Sequence, residues 1–361
     1  MRSANDAQFL LQPNPLTGER LSSPTWLKEF VPRRGMRNAD VQTLAANFMP
    51  RRVQLPKGES VVVEVDPSTE SRVLCHCNWQ PKDVRSTSMT LLVVHGLEGS
   101  FQSQYMLGNA NKAWRAGWNV IRMNMRNCAG TELLSPTLYH SGLSGDVQAV
   151  AQYFAAQHGL TRMAWVGYSM GGNLVLKAVG EYGAHAPAWL WAVVGVSPVV
   201  DLAPTADALH TRRNHLYEWN FLQNMLRRYR RKVKLFPERF SLENYKLVHC
   251  IRTYDEYILS PNAGFMGADD YYYRSAAARV IDQISVPTLI LHALDDPFIR
   301  TLPETRAKII ANPHMKLVET EYGGHCAFLA AATPTDEGYW AEATLHGFIA
   351  SISEPYTRQV R

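Results

Sequence analysis

Short, continuously apolar runs recur along this chain between longer amphipathic stretches, and no other feature limits its architecture as much. The runs 91–94, 119–123, 164–167, 190–196, 288–291 and 316–318 have the length of strands and little of the alternation expected of a sheet with one wet face. Such strands are buried on both sides, as in parallel sheets joined by crossover helices. The stretches 105–115, 146–158, 170–180 and 305–311 supply helix candidates between them. Ahead of these, 61–65 and 72–77 flank the turn-forming Asp66-Pro67-Ser68, which predicts an opening hairpin. The expectation is an α/β fold with a mostly parallel eight-stranded sheet and helices on both faces.

One interval breaks the rhythm. Residues 201–285 separate two strands that an ordinary crossover would join with far fewer, and they are rich in Tyr, Phe, Trp, Leu and Arg. They are read as an inserted helical cap, with 56–200 and 286–361 forming the core. Residues 1–55 mix Pro, Arg and scattered apolar side chains without a period, and are expected to pack over that core as an extension. With 46% hydrophobic and 19% charged residues, the chain closes a substantial core, which excludes a disordered or collagen-like protein.

The first sixty residues lack the basic-then-apolar pattern of a signal peptide, so secretion is not expected. The longest apolar stretch, 188–200, contains Ser197 and Pro198 and falls short of the roughly 18 residues of a spanning helix. Five cysteines cannot all pair, and a chain of this size needs no staples, so a reducing, cytoplasmic setting is expected. Cys75 and Cys77 share one face of a strand and are read as buried packing, not metal ligands. The net charge of +5 is local: between residues 211 and 240 nine Lys or Arg face two Glu, a segment of +7 that leaves −2 for the rest. The stretch 227–234 is read foremost as a solvated helix face. Contact with an anionic membrane surface or substrate is the second reading, and nucleic acid the weakest.

Gly167-Tyr168-Ser169-Met170-Gly171 stands between a strand and a helix. A serine on such a strained turn projects into a cleft, and its glycine neighbours leave room for close backbone. A serine hydroxyl attacks only when a base takes its proton and an acid orients that base. Downstream, the strand 288–291 runs into Asp295-Asp296-Pro297-Phe298, and the strand 316–318 leads to Gly323-Gly324-His325. The order Ser169, Asp296, His325 is the one this architecture requires, with Asp295 the fallback for the acid. His95 to Ser100 ends the strand 91–94, where the second oxyanion donor is expected. The backbone N–H groups of Leu97 and Met170 are therefore candidates for an oxyanion hole, and His95 is assigned to holding the loop. No cofactor or metal is called for.

Together with Arg37-Asn38-Ala39-Asp40-Val41-Gln42-Thr43, Arg126-Asn127-Cys128-Ala129-Gly130-Thr131-Glu132, Thr253-Tyr254-Asp255-Glu256 and Asp270-Tyr271-Tyr272, these motifs resemble the YheT-like branch of the α/β-hydrolase superfamily over nearly the whole chain. Asp40, where the family often carries histidine, and Ala327, where glycine is common, depart from its pattern. The resemblance implies a serine carboxylesterase acting on short or medium acyl esters through an acyl-enzyme. An acyltransferase passing the acyl group to an alcohol, and a binding protein on an inactive hydrolase scaffold, are the alternatives. Trp219, Phe221, Tyr271 and Tyr272 are expected to shape an apolar acyl pocket under the cap.

Overall fold

The computed structural model describes residues 24–49, 51–333 and 336–358, with the side chains of the last helix described to residue 353. Residues 1–23 of the expected extension lie outside the described residues. The strands are β1 (Glu59–Asp66), β2 (Ser71–Asn78), β3 (Thr90–Val94), β4 (Asn119–Met123), β5 (Met163–Tyr168), β6 (Leu190–Val196), β7 (Thr288–Ala293) and β8 (Met315–Thr320). They form one sheet in the order β1-β2-β4-β3-β5-β6-β7-β8. β2 runs antiparallel to β1 and β4, and every other pairing is parallel. Every residue of β3, β4 and β5 is buried, which explains their unbroken apolar runs.

The longer helices are α1 (Ala39–Phe48), α2 (Gln104–Arg115), α3 (Ser144–His158), α4 (Met170–Tyr182), α5 (Leu202–Leu209), α6 (His215–Leu235), α7 (Ala268–Ser275), α8 (Pro303–Ala311) and α9 (Trp340–Arg358). Phe154 of α3, Leu174 of α4 and Ile309 of α8 enter the core on one face of the sheet. Met106 of α2, Leu345 and Phe348 of α9, and Leu27 and Phe30 of the leading segment fill the other. The Phe30 ring lies 5.3 Å from Trp340 and 5.9 Å from Phe328. Between β6 and β7, α5 to α7 and a helical run from Ile251–Tyr254 through a π turn at Asp255–Leu259 enclose a separate apolar cluster. This helical insertion covers the C-terminal ends of the parallel strands, where open α/β sheets bind ligands.

Two helices, α1 and α9, have no counterpart in the periodicity read from the sequence. Cys75 and Cys77 are buried, and burial pushes both thiols upward. All five cysteines are free. Among the described residues no helix is long and apolar enough to cross a membrane.

Candidate active site

β5 ends at Tyr168 and α4 begins at Met170, so Ser169 alone makes the turn between them, at φ 54° and ψ −118°. An L-residue held there carries strain of roughly 1–3 kcal/mol, which its surroundings must over-determine. They do: the Ser169 N–H donates to Val196 O (2.9 Å) and its carbonyl accepts from Asn173 N–H (3.1 Å). A Cβ on Gly167 would stand 2.1 Å from Gly171 O, and one on Gly171 would stand 2.4 Å from the carbonyls of Val94 and His95. Glycine at both positions lets β3, β5 and α4 close around the serine. The fully buried Asn173 amide donates to Ser141 O and Ser275 O and accepts from Ala277 N–H, tying α4 to the chain returning from the cap.

The loops after β7 and β8 bring an acid and a base together. His325 Nδ1 lies 2.8 Å from Asp296 Oδ2, while Asp296 Oδ1 accepts from the N–H groups of Phe298 (3.1 Å) and Ile299 (2.9 Å). Asp295 turns elsewhere: its Oδ1 accepts from Gly324 N–H at 2.8 Å, and burial raises its carboxyl. It shapes the His325 loop without touching the imidazole. Burial disfavours the imidazolium of His325, but the adjacent Cys326 and the Asp296 carboxylate outweigh it, and the ring is raised above the ordinary histidine value. The Phe298 ring packs 4.3 Å from the imidazole. His325 and Ser169 line the same cleft. Among the described residues no hydrogen bond joins Ser169 Oγ to the ring, whose Nε2 lies 3.6 Å from Cys326 Sγ. Such contacts commonly tighten only when substrate is bound.

After β3 the chain turns through His95, Gly96, Leu97 and Glu98. His95 is fully buried, and burial depresses its pKa to about 4. Its Nε2 accepts from Met125 N–H (3.0 Å), so Nδ1 carries the proton and donates to Gly96 O (2.8 Å). A neutral imidazole therefore braces the loop. Gly96 packs so close to Ser169 that a Cβ would sit 3.0 Å from the serine Cβ. Neither Leu97 N–H nor Met170 N–H is engaged in a hydrogen bond among the described residues. Met170, at the first position of α4, also carries the positive end of the helix dipole.

Sequence reasoning missed three supports of this arrangement. Thr43 Oγ1 accepts from His325 N–H (2.9 Å) and Gln42 Oε1 from Leu329 N–H (2.8 Å), so α1 clasps the histidine loop. Gly324 fits beneath α1 because a Cβ there would meet Ala39 O at 2.6 Å. Asp40 fastens α1 to the cap, accepting from Tyr217 OH (3.1 Å) and pairing with Arg213 (3.3 Å). The Arg37–Thr43 motif carried this signal, but only as a mark of resemblance. Ala327 needs no glycine, since the left-handed backbone falls on its neighbours Cys326 and Phe328.

The third support qualifies the reading of 227–234 as a solvated face: Arg227, Arg230, Arg231 and Lys234 are exposed as expected, but Arg228 and Lys232 are not. Arg228 is buried, donating to Glu98 Oε2 (2.8 Å) and Cys128 Sγ (3.2 Å), and Tyr139 OH completes Glu98 at 2.6 Å. Arg231 pairs with Glu132 (2.7 Å), and the fully buried Lys232 ammonium donates to the carbonyls of Glu132 and Ser135. One face of this helix thus latches the cap to the core loops, because a 3.6-residue period aligns 228, 231 and 232.

Two cavities meet at Ser169. The inner one, about 100 Å³, is walled by apolar cap and core side chains that include Phe221, Met225, Tyr271 and Tyr272. The outer one, about 380 Å³, holds His325 and is lined by Asn47, Asn220 and Glu342 among others. Trp219 belongs to neither wall: it is 59% exposed, on the opposite side of α6 from Phe221, as a spacing of two residues on a helix dictates. Elsewhere on the cap, ligand atoms of His210, Glu218 and Cys250 lie within 4.8 Å of one another, but both Glu218 oxygens already accept from His210 Nδ1 or Ile251 N–H.

Comparison with known proteins agrees with this architecture. A family model described as alpha/beta hydrolase fold matches residues 90–332. YheT of Escherichia coli (strain K12) is 29% identical over 341 residues, covering 90% of this chain and 94% of that protein, which bears out the resemblance read from the motifs. The phospholipase ABHD3 of Mus musculus is 29% identical over 261 residues, 71% of this chain, and the match spans only 60% of that protein's length. Among solved structures, an esterase of Pyrobaculum calidifontis superposes with a TM-score of 0.53 at 16% identity, over 87% of this chain and 90% of its own, a likeness of fold.

Proposed function

From the membership of this chain in the alpha/beta hydrolase fold family, we propose that it is a serine carboxylesterase with Ser169 as nucleophile, His325 as general base and Asp296 as the orienting acid. The observation that carries the proposal is the Asp296–His325 pair at 2.8 Å, facing the cleft into which the strained Ser169 turn opens. In this reading Ser169 Oγ attacks the ester carbonyl while His325 Nε2 takes its proton, and the imidazolium that forms is stabilised by Asp296. The negative oxygen of the tetrahedral intermediate receives the N–H groups of Leu97 and Met170, each worth about 3 kcal/mol in reactions of this kind. His325 then returns the proton to the departing alcohol. Water, activated by the same base, releases the acid from the acyl-enzyme.

The two cavities divide the substrate. The apolar inner one takes the acyl chain, and its volume of about 100 Å³, smaller than the roughly 150 Å³ that holds a benzene ring, suits a short chain. The wider, more polar outer one takes the alcohol. Five free cysteines fit a reducing, cytoplasmic setting. The test is a panel of aryl esters from acetate to dodecanoate, run with a fluorophosphonate probe and peptide mapping. Turnover that peaks at the shorter chains and is abolished by labelling at Ser169 is the expected result. Absence of labelling, or labelling elsewhere, overturns the proposal. Alcohol added to the assay reads transfer against hydrolysis through the ratio of products.

A further inference from the structure

The inner cavity is apolar except for a few groups, and most of these are already engaged. Tyr139 OH donates to Glu98, Tyr271 OH accepts from Ser141 N–H, His140 Nδ1 accepts from Gly142 N–H, and Thr205 Oγ1 accepts from Arg300 N–H. Asp255 differs. It lines the cavity, is only 4% exposed, and holds one oxygen, Oδ2, against Tyr272 OH at 2.7 Å. Its other oxygen, Oδ1, has no hydrogen-bond partner among the described residues. Burial raises the carboxyl to about 7, far above the ordinary aspartate range.

Local structure explains how an acid comes to stand there. Asp255 opens the π turn Asp255–Leu259, a widened turn of a kind frequent at functional sites. Its partner Tyr272 lies on α7, so two motifs distant in the sequence, Thr253-Tyr254-Asp255-Glu256 and Asp270-Tyr271-Tyr272, meet at this wall. Glu256 accepts from Ala268 N–H at 2.6 Å and fastens the same two elements, leaving Asp255 free of that task.

An alkyl chain filling the cavity strips solvent from Asp255 and gives it no donor in return, which a protein site penalises. A chain that carries a hydroxyl at its far end gives Oδ1 a partner. We propose that Asp255 makes the inner cavity selective for acyl chains that end in a hydroxyl group. This rests on the esterase reading above and on the assignment of the inner cavity to the acyl chain.

The experiment compares methyl 6-hydroxyhexanoate with methyl hexanoate, chains of equal length that differ only at the tail. Values of kcat/KM are measured by titration of released acid for the wild-type protein, Asp255→Leu and Asp255→Asn. The wild type is expected to favour the hydroxy ester by about tenfold, the scale of one buried hydrogen bond. Asp255→Leu is expected to abolish or reverse the preference. Asp255→Asn, which retains an acceptor oxygen and the side-chain volume, keeps part of it and guards against a folding defect. Equal values in the wild type, a preference that survives Asp255→Leu, or a loss in that variant equal for both esters would overturn the proposal. Calorimetric binding of the two esters to Ser169→Ala reads the same preference without chemistry. If Ser169 resists the fluorophosphonate probe and neither ester turns over, the esterase reading fails, and the binding comparison still decides whether the cavity selects the hydroxyl.

Discussion

Two neighbouring aspartates illustrate how much of this site is decided by a single bond. From the sequence both Asp295 and Asp296 fit the acid's place, because they share one loop after β7, with Asp296 preferred and Asp295 the fallback. The structure brings Asp296 to the imidazole and sends Asp295 to the Gly324 N–H. Asp296→Asn should therefore lower kcat by about ten-thousandfold, as expected when a base loses its orienting acid, whereas Asp295→Asn should lose about tenfold through a loosened loop. Steady-state kinetics on the two variants checks this, and equal losses would contradict it. Ser169→Ala or His325→Ala should each cost about a million-fold with thermal stability preserved, since in the proposed mechanism the three groups act as a unit. Ser169 and His325 were legible because glycines and strand ends mark them. Thr43 was not, because a contact across 282 residues leaves no trace in local pattern.

The elements most easily read are those that are uniformly buried, and the hardest is α1. Its buried residues include Gln42 and Thr43, while Val41, Leu44 and Phe48 are exposed, so its amphipathicity is inverted and a search for an apolar stripe finds nothing. Thr43→Val removes the acceptor for His325 N–H and should lower kcat about tenfold with little change in KM. Unchanged kcat would show that the loop is held by other contacts. The cap helix α6 was legible only in part, since a basic run is usually wet and Arg227, Arg230 and Lys234 are, yet Arg228 reaches Glu98 beside the proposed oxyanion loop. Arg228→Met leaves the largely covered Glu98 with only the Tyr139 hydroxyl and no cation, and should destabilise the protein by about 3 kcal/mol. A fall in melting temperature, and a fall in kcat not restored by Arg228→Lys, are the expected readings, because lysine cannot reproduce a guanidinium fork that reaches both Glu98 and Cys128. The order of the sheet was not legible at all: the apolar runs foretell that strands pair, and only the crossovers say with which neighbour.

At the scale of the whole molecule, buried histidines set the response to acid. Burial lowers His95 to about 4 and His140 and His346 to about 3, against an ordinary value of 6.5. Between pH 6.5 and those values the unfolded chain binds protons that the folded protein refuses, so stability falls as pH falls, by up to roughly 3 kcal/mol for His95. Asp255, raised to about 7 from 3.8, acts in the other sense: its folded form takes up a proton first, and stability rises as pH drops through 7. His76, His158 and His292, also lowered by burial, add to the loss, while Asp146, Asp201 and Asp295, raised by burial, oppose it. Six histidines against four aspartates predict a net loss between pH 6.5 and 5, visible as a falling melting temperature, and steeper in Asp255→Asn. A flat profile would contradict the neutral burial of these rings. The clasp between α1 and the histidine loop carries a further consequence for biosynthesis. Its front half leaves the ribosome long before its rear half is translated, so α1 has no loop to hold until residue 325 has been made and has emerged.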